Sequence, residues 1–288
     1  MLILPLQPPN HYSLCTPPPQ PAVLPTGLTP NDGRAPRDDF SLLSARDTPV
    51  NPTGAVSRAL EVATTQATLG DIDEMFVWLK KAEQWSEDGQ PEVARRIVAI
   101  TVSGYQRAYA QAMGRAAVQA DISGVPGVQP HLVDASLYAK IANSIEPGSI
   151  TIDKDQVNQV LLSANKRSYE LSLSLAAHQA YHFSNASGAI SFVERAREYA
   201  KAANDFVPGS VVIDEDEIRE ILILGYQKNY EKNLETAESM SNSGDAAGAK
   251  RYYRETARVC AEEANKLRAG SIVVDATRVS KFLDSATE

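Results

Sequence analysis

His178 and His182 stand four residues apart in Ala177-His178-Gln179-Ala180-Tyr181-His182. On a helix that spacing places both imidazoles on one face, the arrangement from which two histidines can chelate a divalent metal. No Glu follows His178, so the metalloprotease pattern is missing, and no clear third ligand is at hand. An ordinary surface pair is the favoured reading. The acidic runs Asp153-Lys154-Asp155 and Asp214-Glu215-Asp216-Glu217 lack the spacing and the glycine of a calcium loop. They read instead as helix starts, where a carboxylate accepts backbone N–H groups and suits the helix dipole. His131 fills a slot taken elsewhere by Trp78, Phe192 and Tyr253, so a packing aromatic is expected there. The two cysteines, Cys15 and Cys260, form no disulfide framework. No phosphate loop, dinucleotide fingerprint or nucleophile elbow occurs. These readings predict no enzyme activity, no cofactor and no full metal site, with His178 and His182 as the remaining weak metal candidates.

The elements that carry these residues recur. Tyr138-Ala139-Lys140 followed by Glu146-Pro147-Gly148-Ser149-Ile150-Thr151-Ile152-Asp153 returns at Tyr199 to Asp214 and again at Cys260 to Asp275, each time 61 residues on. A fixed period of this size indicates one supersecondary unit stacked on copies of itself. Ala135, Ala196 and Ala257 align, as do Ala139, Ala200 and Ala261, and Ala142, Ala203 and Ala264. Such an alanine stripe lets two helices approach closely. Leu161, Leu222 and Leu283 align, and so do Tyr109, Tyr169 and Tyr230. A shortened earlier copy places Trp78, Ala82 and Trp85 against His131, Ala135 and Tyr138. Cys260 then sits in the slot of Tyr138 and Tyr199 and is expected to pack as a small apolar residue.

Each unit reads as long helix, turn, shorter helix and link. Helices are expected over 56–69, 71–86, 92–121, 130–145, 154–184, 187–205, 215–243, 245–267 and 276–286. Residues 121 to 130 read as an irregular turn, and all five prolines after residue 55 read as loop or helix-start residues. Gly148, Gly209 and Gly270 follow helix ends and suit the positive φ of a C-cap. The branched pairs Ile150 and Ile152, Val211 and Ile213, and Ile272 and Val274 alternate like short extended segments. Both members are expected to plug the gap between stacked hairpins. The fold expected is all-α, with units over 56–91, 92–152, 153–213 and 214–274 and a terminal helix in 275–288.

The run Gly244-Asp245-Ala246-Ala247-Gly248-Ala249-Lys250-Arg251-Tyr252-Tyr253-Arg254-Glu255-Thr256-Ala257 resembles the turn and second helix of a tetratricopeptide hairpin, and Gly70-Asp71 opens a weaker copy. The resemblance implies a helical-hairpin scaffold, an α-solenoid or an elongated bundle, that binds peptides or proteins. The period departs from that family's usual repeat of about 34 residues, and the first-helix Trp-x-x-Leu-Gly signature is absent.

Residues 1 to 55 differ in kind. The first 56 residues hold twelve of the seventeen prolines, and no Asp, Glu, Lys or Arg precedes Asp32. Such a segment buries too little apolar surface to offset its conformational entropy, so a disordered arm is expected. A net charge of −8 argues against a nucleic-acid partner. No apolar run approaches the roughly 18 residues of a membrane span, and the start lacks a basic secretory n-region. The expectation is a cytoplasmic, non-catalytic scaffold with protein partners, self-association included. Tyr169, Tyr230 and Gln227 on the long helices are the candidate contact residues, and inter-helix packing is an equal reading of all three. The alternative is a substrate of a specialised bacterial secretion system, exported without a cleaved signal peptide and carrying its signal in the uncharged arm.

Overall fold

The computed structural model describes residues 52–86 and 90–283. The arm expected over 1–55 falls, through residue 51, outside the described residues, as does Cys15. Among the described residues the regular structure is entirely helical. The elements are α1 (Pro52–Leu69), α2 (Ile72–Trp85), α3 (Pro91–Ser123), α4 (Val125–Ile145), α5 (Lys154–His182), α6 (Ala186–Phe206), α7 (Glu215–Asn242), α8 (Ala246–Tyr252), a π segment (Tyr253–Ala257), α9 (Arg258–Leu267) and α10 (Ala276–Leu283).

Consecutive helices pair: α1 with α2, α3 with α4, α5 with α6, and α7 with α8, the π segment and α9. The alanine stripe makes this possible. Ala135, Ala139 and Ala142 on α4, Ala196, Ala200 and Ala203 on α6, and Ala257, Ala261 and Ala264 are all buried. Helix starts follow the acidic signals. Asp153 accepts from the amides of Asp155 and Gln156 at 2.9 and 3.1 Å, and Asp214 from those of Asp216 and Glu217 at 3.0 Å each. Asp275 does the same for Thr277 and Arg278.

Side by side, α1 packs on α3, α3 on α5 and α5 on α7, and no other pair of these four touches among the described residues. The matched residues lie closer in sequence than one period. Gln111 Nε2 donates to Leu69 O across 42 positions, and Val125 N donates to Ser168 Oγ across 43. α5 therefore lies with its N-terminal half beside the C-terminal part of α3, whereas α1 lies beside the N-terminal two-thirds of α3. For α3 and α5, whose Tyr109 and Tyr169 align 60 residues apart, the separation of 43 amounts to a stagger of about 17 residues, roughly 25 Å at 1.5 Å per residue.

The links hold these steps in place. Gly148, Gly209 and Gly270 adopt φ of 83°, 77° and 79°, as expected of a C-cap glycine. The chain then turns extended, with no strand beside it. A side-chain amide supplies the missing partner. Asn143 Oδ1 accepts from Ile150 N at 3.0 Å while its Nδ2 donates to Ile150 O at 2.8 Å. Asn204 does this for Val211 at 3.0 and 2.9 Å, and Asn265 for Ile272 at 3.1 and 2.9 Å. The clamped residues are buried. The second members of the pairs are not plugs to the same degree: Ile152 and Ile213 are half-buried and Val274 is exposed. Between them, Val212 and Val273 are each 82% exposed.

Three expectations need correction. The irregular turn over 121–130 is a single-residue break at Gly124, with φ 66° and its backbone against Ser168. Pro126 lies in the first turn of α4, where a missing N–H costs nothing, but Pro130 lies inside the helix. That proline forfeits one backbone bond, and the burial of Val128 and Ala135 keeps the helix intact. The helix expected over 245–267 is interrupted by the π segment at Tyr253–Ala257.

The last helix, α10, packs on α8 and α7 with Val279 buried, and charge ties it to α7. Arg278 donates from Nε and Nη2 to the two carboxylate oxygens of Glu238 at 2.9 and 3.1 Å, and from Nη1 to Glu231 at 3.1 Å. Hydrogen bonding from Arg278 holds the Glu238 carboxyl below its ordinary value. Its contribution is thus complete above the usual Glu range and is lost as pH falls through the depressed value.

Two outcomes follow. Asn204→Ala strands the buried Val211 N–H and C=O and should lower stability by about 1–3 kcal/mol; an unchanged denaturant midpoint would show that the clamp contributes nothing. Hydrogen-exchange protection of α10 should fall on acidification below the usual Glu range and should already be low in Arg278→Gln. Protection independent of both would rule out the charge-docked helix.

Candidate functional site

The histidine pair lies at the C-terminal end of α5, where the sequence placed it. The ring centres of His178 and His182 are 4.7 Å apart, and both side chains are exposed. Phe183 meets His178 edge-on at 5.2 Å, and Tyr181 meets His182 edge-on at 4.8 Å. Lys228 Nζ of α7 lies 5.6 Å from the Tyr181 ring centre. Among the described residues, no three His, Cys, Asp or Glu side chains converge as a metal-binding group.

The chain leaves this tip through a tight turn. Ser184 takes φ 51°, a left-handed conformation rare outside glycine. Asn185 then caps α6, accepting from Gly188 N at 3.0 Å, while its Nδ2 donates to Gln179 Oε1 at 3.1 Å. An open cleft of about 380 Å³ lies beside the turn, lined by Gln179, Phe183, Ser184, Asn185, Asn229 and Lys232. It combines one exposed aromatic ring, three carboxamides and one cation, a set suited to polar contact rather than to bond-breaking chemistry.

The three tyrosine and glutamine candidates fall elsewhere. Tyr230 is 3% exposed and belongs to the core around Leu234, Ala257 and Ile272. Of its two readings, contact residue or inter-helix packing, Tyr230 takes the packed one. Its hydroxyl, like that of Tyr109, is buried with no hydrogen-bond partner among the described atoms. Burial pushes the Tyr230 phenol above its ordinary value. Tyr169 is half-buried against the core of α5 and α6, with its hydroxyl beside the backbone of Asp214. Tyr109 stands likewise beside the Asp153 backbone, outside hydrogen-bond geometry. Gln227 is half-buried and donates from Nε2 to Ser271 O at 2.8 Å, as Gln106 does to Ser149 O. All three residues brace the next link.

His131 is half-buried. Cys260 is buried, its Sγ 3.8 Å from Asn233 Nδ2, and burial pushes its thiol up, away from the reactive thiolate. Among the described residues no helix is long and apolar enough to cross a membrane. The residues that sequence reasoning missed are Asn143, Asn204 and Asn265. Their signal was present, because each follows the last alanine of the stripe at the same 61-residue interval.

Tyr230→Phe removes an unpartnered buried hydroxyl, so the melting temperature should hold or rise, whereas Tyr230→Ala should cost about 3–5 kcal/mol. Destabilisation by Tyr230→Phe of more than about 1 kcal/mol would reveal a hydrogen bond at that hydroxyl. Comparison of the chain with protein-family models, with curated proteins and with solved structures finds no match.

Proposed function

We propose that this chain is a non-catalytic interaction scaffold, an array of tandem helical hairpins of about 61 residues that offers its outer faces to a protein partner in the cytoplasm. The observation that carries this reading is the neighbour-only packing of the long helices, α1 on α3, α3 on α5 and α5 on α7. Copied units packed in that way produce extended surface rather than one asymmetric pocket. The amide clamps at Asn143, Asn204 and Asn265, spaced like the sequence period, support the same reading. So do the tetratricopeptide-like residues Gly244 to Ala257. The outer faces carry apolar side chains at helical spacing, including Val133 and Leu137 on α4 and Val118 and Ile122 on α3, all exposed. Solvent-facing pairs of this kind are suited to burying a partner's surface.

A second reading rests on the uncharged first 31 residues. In it the arm is a secretion signal and the helical body is the delivered cargo. Export of a reporter fused to residues 1–56 favours that reading, and retention in the cell counts against it.

Affinity capture with the full-length chain, followed by titration of the captured protein in purified form, tests the scaffold. The expected result is a saturable complex that weakens at least tenfold when Val133 and Leu137 are both changed to Asp, while the melting temperature stays put. A complex indifferent to substitutions on every outer face, or repeated capture of nothing, would sink the proposal.

A further inference from the structure

Histidine at 178 and 182 is not demanded by packing. Both side chains are exposed. Ser239 and Ser243 stand 61 residues on in α7, and Val118 and Ile122 stand 60 residues back in α3, the register that aligns Tyr109 with Tyr169. The fold thus accepts a hydroxyl or a branched alkyl group where α5 carries imidazole. The two rings are nonetheless held in a defined relation, 4.7 Å between centres, with Phe183 edge-on to His178 and Tyr181 edge-on to His182.

That separation has a chemical meaning. A metal bonded at about 2.0–2.1 Å to one nitrogen of each ring lies roughly 3.2 Å from each ring centre. With one nitrogen of each ring turned to the same point, two rings with centres as far apart as those of His178 and His182 subtend an angle of about 95° at the metal, roughly the cis angle of a square-planar or tetragonal ion. We propose that His178 and His182 form a two-imidazole chelate for a late first-row divalent cation, with Cu²⁺ bound most tightly. The preference for Cu²⁺ follows from the general order of divalent affinities and from the cis geometry. Aromatic contacts on both rings reduce the rotamer freedom lost on binding. The remaining coordination positions fall to water, since no third protein ligand converges on the pair among the described residues. Two cations weaken the site: the Lys228 ammonium, 5.6 Å from the Tyr181 ring, and Lys232, which lines the cleft beside Phe183.

The test is titration of the full-length protein with Cu²⁺, by calorimetry and by electron paramagnetic resonance, beside His178→Asn and His182→Asn. Thermal melts establish that both exposed variants fold. The expected result is one Cu²⁺ whose spectrum shows two equivalent nitrogens, with affinity at least tenfold lower in each single variant. Either variant retaining wild-type affinity, or a wild-type spectrum with a single nitrogen, would overturn the chelate. Copper held elsewhere in the chain, at a free amine for example, survives both substitutions and is separated from the proposed site in this way.

Discussion

A buried stretch of extended backbone with no strand beside it is the constraint on which the rest of this structure depends. Ile150, Val211 and Ile272 each bring an N–H and a C=O into the interior. In a sheet a neighbouring strand would bond both groups. Here one asparagine does so, with Oδ1 accepting and Nδ2 donating. A carboxamide is the smallest side chain able to present a donor and an acceptor side by side, as a peptide unit does. Once that residue is fixed, the positive-φ glycine before it and the capping aspartate after it have fixed places too. The entry of the following long helix is determined by this short sequence of bonds.

The stagger follows from the same geometry. The link begins where the shorter helix ends and delivers Asp214 beside Tyr169, in the middle of the preceding long helix. The new helix then runs past the tip of the old one, so that Gly225 lies beside Ala180 and Ala186. A Cβ at 225 would stand at ordinary contact distance from both, so an alanine fits there and only a longer side chain would have to displace them. The tips therefore meet different neighbours. That of α3 is cradled by Ser163, Arg167 and Ser168 of α5. The tip of α5 projects His178, Tyr181, His182 and Phe183 into solvent.

The helices, the caps and the alanine stripe were legible in the sequence because each is written in a local pattern. Asp153 and Asp214 precede acidic first turns, and the alanines fall at 3–4 spacing. The clamps were harder to read, because a polar residue on an otherwise apolar face passes for a solvent-facing one. Only its recurrence at Asn143, Asn204 and Asn265 marks it as structural. The α3–α4 turn misled for another reason. Gly124, Pro126, Gly127 and Pro130 look like breakers, yet Pro126 falls in a first helical turn, where no backbone partner is needed, and Gly127 N bonds back to Gly124 O. Tyr230 stayed open between contact and packing because a tyrosine at the edge of a helical stripe has the same spacing whether or not another helix covers it. The π segment has no local signature at all, and its register depends on the packing of Tyr253 and Ala257 against α7.

The buried residues do not form one continuous core. Those around Val56 to Ile100, those around Leu173 to Ile221 and those around Tyr230 to Val279 are separate clusters. Opening one helical pair therefore exposes its own cluster and leaves the more distant ones dry. Free energy of local opening is then graded along the chain, highest where a pair has neighbours on both sides. In a tandem-hairpin array of the kind proposed, the helical body comes apart in stages from its ends rather than in one cooperative transition. Its capacity to yield locally while staying folded elsewhere is a property of how its cores are divided.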